Sequence, residues 1–103
     1  MSDRYEGKPF LRLLDFYILD TIGALDDANR NWLIGAEPYF RETFGGTGGW
    51  RNIVASRMQF PDGIDAAIVE TWEKGRVKFR EHTGEEPDPV NFAHHFVDSN
   101  FPH

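Results

Sequence analysis

The chain has 103 residues, 17 acidic against 11 basic side chains for a formal charge of −6, and a composition that is 40% hydrophobic and 15% aromatic. That length suits one domain around one core, residues 1–103, and excludes a catalytic domain joined to a separate regulatory one. The acidic balance, with no basic block, argues against nucleic acid as a partner, and the lack of cysteine excludes disulfides and thiolate catalysis or metal binding.

Residues 1–8 are polar and are expected to be loose. They lack the apolar stretch of a secretion signal, and no apolar run reaches the length of a membrane span, so cytoplasmic residence without a membrane partner is expected.

From Pro9 the pattern changes. Phe10, Leu11, Leu13, Leu14, Phe16, Tyr17, Ile18, Leu19, Ile22 and Leu25 place apolar groups around most of a helix, with Pro9 suited to its first turn. Only Arg12, Asp15 and Asp20 mark a polar strip. A surface helix needs an apolar stripe somewhat over ~100° wide. This one is far wider, which predicts either a central helix or an oligomer interface carried by Phe10, Leu14, Tyr17, Ile18 and Leu25.

Asp26 or Asp27 offers an N-cap for a second helix running through Trp32, Leu33, Ala36, Tyr39, Phe40 and Phe44. Pro38 interrupts that run, so the helix should kink, break or restart near Gly35 to Pro38. Gly45-Gly46-Thr47-Gly48-Gly49 is a loop, read as a flexible connector. A third helix should span Trp50 to Met58, and Phe60-Pro61-Asp62-Gly63 turns the chain again.

Asp62 and Asp65 resemble a capping box for a fourth helix reaching about Thr83. Its inner face uses Ile64, Ala67, Ile68, Trp72, Gly75 and Phe79, and Gly75 there suggests a close helix approach. Gly84 reads as the residue that ends this helix, and Asp88-Pro89 opens a fifth. On the fifth, Val90, Phe92, Ala93, Phe96, Val97 and Phe101 share one half, and Asn91, His94, His95, Asp98 and Ser99 the other. The fold class is therefore all-α, a compact bundle of about five helices with the first at its centre.

Three groups carry candidate chemistry. His94, His95 and Asp98 project from one side of a helix at spacings of three and four, and with His82 or His103 could ligate zinc or iron. Solvent-exposed His pairs more often hold no metal, and the H-E-x-x-H spacing is absent. Gly48, Gly49 and Arg51 precede the third helix, where free N–H groups favour an anion, although no P-loop pattern is present. The acids Asp15, Asp20, Asp26, Asp27 and Glu37 read as a solvated face. No motif calls for a cofactor.

The aromatic set of nine Phe, three Trp and three Tyr exceeds what a minimal core of this size needs, which points to a partner-facing surface. The arrangement of Leu13 to Leu19, Gly48-Gly49-Trp50, Phe60-Pro61, Trp72, Asn91-Phe92-Ala93, Phe96-Val97-Asp98 and Asn100-Phe101 resembles a small family of bacterial helical proteins. That resemblance implies a helical fold and carries no activity, cofactor or binding residue.

The residues together lead to the expectation of a small non-enzymatic interaction domain, self-associating as a homodimer through the first helix. The alternatives are a metal-binding or metal-sensing protein using His94, His95 and Asp98, and a small-ligand-binding helical domain with an aromatic-walled pocket.

Overall fold

A computed structural model describes residues 9–100 of the chain. The loose segment expected over residues 1–8, and the placement expected for Phe101, lie outside the described residues. Among the described residues the protein is all-helical, with no strand. Its elements are α1 (Pro9–Thr21), α2 (Asp27–Gly35), α3 (Glu37–Phe44), α4 (Trp50–Met58), α5 (Ile64–Thr83) and α6 (Pro89–Asn100).

Six helices stand where about five were expected, and Pro38 is the reason. Ala36 ends α2 and also begins α3, with φ −92° and ψ 0°, and Pro38 sits in the first turn of α3, where its missing N–H costs nothing. The proline thus restarts the chain as a separate helix rather than kinking one.

The helix ends follow local chemistry. α1 stops four residues before Leu25 because Gly23 adopts φ +76°, and the amides of Gly23 and Ala24 fold back onto the carbonyls of Asp20 and Leu19 at 3.1 and 2.8 Å. Asp26 is the N-cap of α2 and accepts from the Asn29 amide. α4 closes with the same double bond pattern as α1, but its left-handed residue is Gln59, at φ 54°. α5 ends at Gly84, whose amide donates to the Arg80 carbonyl at 2.8 Å.

The chain divides into two compact units, residues 1–24 with 65–103, and residues 25–64. In the first, α1 packs against α6. Its buried apolar side chains are Leu11, Leu13, Leu14, Tyr17, Ile18 and Leu19 from α1, Ile68 from α5, and Ala93 and Val97 from α6. The buried Tyr17 hydroxyl donates to the Asp65 carboxylate at 2.6 Å. Asp65 therefore reaches α1 as well as opening α5. In the second unit α3 packs against α2 and α4, and Leu25, Leu33, Phe40, Trp50, Ile53 and Val54 are buried.

Candidate functional site

The residues expected to form a dimer face are not on open surface. Leu14, Tyr17, Ile18 and Leu25 are buried within the single chain, and Phe10 is half-buried. The histidines of α6 part company. His94 is half-buried, with Nε2 3.6 Å from the Asp15 carboxylate of α1, while His95 is exposed on the side facing α5. Asp98 is exposed, as is His82 on α5, and His103 lies outside the described residues. Among the described residues no group of three or more His, Cys, Asp or Glu comes together as a metal site.

The glycine loop, expected as a connector, carries hydrogen bonds from the helices on both sides of it. Arg41 donates to the Gly48 carbonyl at 2.9 Å, the Asn52 amide to the Thr47 carbonyl at 2.7 Å, and Arg57 to the Phe44 carbonyl at 3.3 Å. The positive end of α4 behind Gly48 and Gly49 holds an anion from the chain itself. Glu37 Oε2 accepts from the Trp50 amide at 2.9 Å. A Cβ on Gly49 would lie 3.0 Å from that oxygen, so glycine makes room for the carboxylate. Arg51 is half-buried beside it in sequence.

The acids read as one solvated face also separate. Asp15 is buried at 6% exposure, Asp26 caps α2, Glu37 caps α4, and Asp27 pairs with Arg30 at 3.1 Å. Asp15 lay on the polar strip of α1, and the α1–α6 contact, which no local pattern encodes, buries it beside His94.

Sequence reasoning missed the groove between α5 and α6. It is a cavity of about 270 Å³. From α5 come Trp72, Gly75, Arg76 and Phe79, from the connection Pro87 and Asp88, and from α6 Asn91, Phe92 and His95. The spacing on α5, with Trp72, Gly75 and Phe79 three and four residues apart, puts two aromatic rings and a gap on one face. The Trp72 and Phe92 rings bridge the two helices at 5.1 Å between centroids and 55° between planes, and Phe96 continues the stack 5.8 Å from Phe92.

The polar wall has its own order. Asp88, Asn91 and His95 also recur at helical spacing, so they line the groove along α6. Asp88 caps that helix through Oδ1, which accepts from the Val90 amide at 2.9 Å. Arg76 is held by Glu86, with Nε 2.8 Å from Oε2, and by Glu73 at 3.7 Å. Arg80, one turn on, also donates to Glu86. The hydrogen bond from Arg76, reinforced by Arg80, keeps the Glu86 carboxyl below its usual range, and Glu86 raises the Arg76 guanidinium in turn. The two arginines thereby fold the connection back onto α5 and set one end of the groove.

Gly75 is the informative residue here. The expectation of a close helix approach is corrected: a Cβ at Gly75 would meet nothing within 4 Å. Its backbone is ordinary helix, so neither packing nor conformation requires glycine.

Comparison of the chain with protein-family models, with curated proteins and with solved structures finds no match. No helix among the described residues is long and apolar enough to cross a membrane.

Proposed function

We propose that this protein is a binding domain that holds a small, largely apolar ligand in the groove between α5 and α6. The observation that carries this reading is Gly75. A glycine inside a helix costs about 1 kcal/mol relative to alanine, and here alanine would fit without a clash. The missing side chain instead leaves open space between Trp72 and Phe79, opposite Phe92. Aromatic-lined concavities between helices are where bundle proteins hold small molecules.

The test uses a neutral arylalkyl probe, phenethyl alcohol, titrated into the full chain while the Trp72 indole and Phe92 ring resonances are followed. Saturable shifts at those two residues are expected. Gly75→Ala should stabilise the protein by roughly 0.5–1 kcal/mol, and Gly75→Leu, which fills the groove, should abolish the shifts while preserving the helical spectrum. Absence of saturable shifts, or their survival in Gly75→Leu, removes this reading.

A second reading, self-association, moves from α1 to the second unit. There Trp32 and Tyr39 are 54% and 60% exposed on either side of Phe40, each edge-on to its ring at 6.0 and 5.9 Å. Exposed aromatic clusters of this kind are common contact hot spots. Light scattering after size exclusion tests it: a dimer that Trp32→Ala and Tyr39→Ala dissociate supports it, and a strict monomer at high micromolar concentration ends it.

A further inference from the structure

We infer that the ligand of the α5–α6 groove is an organic cation, an amine carried on an aromatic or aliphatic body. The inference rests on the groove being a ligand site and adds the charge of its occupant. The body is set by the apolar wall of Trp72, Phe79 and Phe92, whose ring faces attract cations as well as apolar groups. The head is set by the α6 wall. Asp88 uses Oδ1 for its helix cap, and Asp88, Asn91 and His95 line the groove on that side.

The charge balance favours a positive head. Among the described residues Arg76 is the one Lys or Arg lining the groove, and Arg80 lies one turn on, but Glu86 binds both and Glu73 sits 3.7 Å from Arg76. Glu73, Glu86 and Asp88 against Arg76 and Arg80 leave one negative charge, and Asp88 is the carboxylate that neither arginine holds. An ammonium donates up to three hydrogen bonds and accepts none, which suits the carboxylate and carboxamide oxygens of Asp88 and Asn91. A carboxylate ligand would meet Asp88 at like charge. The chain's net charge of −6 also draws cations toward the surface.

The experiment compares three probes with one aromatic body: phenethylamine, phenethyl alcohol and 3-phenylpropionate. Each is titrated into the full chain by calorimetry and by the Trp72 and Phe92 resonances. Phenethylamine should bind roughly tenfold tighter than the alcohol, the scale of a charge-assisted hydrogen bond at a part-exposed site, with the carboxylate weakest. Asp88→Asn keeps a good N-cap residue while removing the charge. It should bring the affinity for the amine down to that for the alcohol.

Equal affinity for the three probes, tighter binding of the carboxylate, or an amine preference that survives Asp88→Asn overturns the cationic ligand while the groove itself stands on the alcohol result. No saturable binding of any probe overturns both. Should Asp88→Asn alter the helical spectrum, raising salt about fifteenfold, from roughly 20 to roughly 300 mM, in the wild-type chain serves instead. A selective weakening of the amine supports the proposal, and an amine affinity indifferent to salt opposes it.

Discussion

Glu37 crosses thirteen residues of chain to accept the Trp50 amide at 2.9 Å, so the first turn of α3 supplies the cap of α4. Gly49, the residue before Trp50, would place a Cβ 3.0 Å from the same carboxylate oxygen. Glu37→Ala should cost about 1–2 kcal/mol, the range for loss of a charged N-terminal cap. Gly49→Ala has a permissive φ of −78° and should nevertheless destabilise, by displacing Glu37. The double variant in urea melts should then cost clearly less than the two single variants added together, because both act on one bond. Strict additivity would separate the two residues and end this account of Gly49.

Asp15 and His94 are the counterpart in the first unit, a buried carboxylate 3.6 Å from an imidazole across the α1–α6 contact. A double-mutant cycle with Asp15→Asn and His94→Gln should show a coupling of about 0.5–1.5 kcal/mol. Reading the same cycle against a control pair, His95→Gln with Asp15→Asn, should give none, since His95 faces the groove.

Glu86 sets an acid-side expectation. Its carboxyl is held below the ordinary value of 4.5 chiefly by the hydrogen bond from Arg76, with Arg80 adding to it. A depressed folded-state value contributes stability that is fully present above the unfolded value and lost as pH falls through the folded one. Unfolding followed between pH 6 and 2 should therefore show a loss below about pH 4.5 that is smaller in Glu86→Gln. Added salt should shrink the difference, because Glu86 and both arginines are solvent-accessible.

Gln59 is the only residue other than glycine with positive φ among the described residues. Gln59→Gly should relieve that conformation and raise stability by about 0.5–1 kcal/mol, less the entropy that glycine adds to the unfolded chain. Gln59→Val, with a branched Cβ in the left-handed region, should be worse than wild type. Thermal melts of the two variants moving in the same direction would contradict this reading of the α4 end.

Residues whose structure is decided within a few positions were legible. α4 runs from Trp50 to Met58 as its flanking punctuation indicates, since Gly45 to Gly49 cannot continue a helix backward and Phe60-Pro61 cannot continue it forward. Pro38 marked a kink, break or restart, and the geometry at Ala36 decides that a new helix starts at once. Interactions between distant segments were not legible. The hydrogen bond between Tyr17 and Asp65 spans 48 residues, and the two acids expected to serve as a capping box and a solvated strip, Asp65 and Asp15, both turn toward another helix. The groove was hidden for a related reason: the spacing of Trp72, Gly75 and Phe79 is that of a core face, and only the packing of α6 decides whether such a face is filled.

The pairing of α1 with α6 has a consequence for synthesis. α1 leaves the ribosome about 70 residues ahead of its partner helix, a delay on the order of ten seconds at ordinary elongation rates. During that interval Leu13, Leu14 and Ile18, each nearly inaccessible in the finished fold, have no α6 to cover them. A nascent chain with these side chains bare is a natural client for a chaperone that shields apolar helices, and slowing elongation between the two helices should lengthen its stay there.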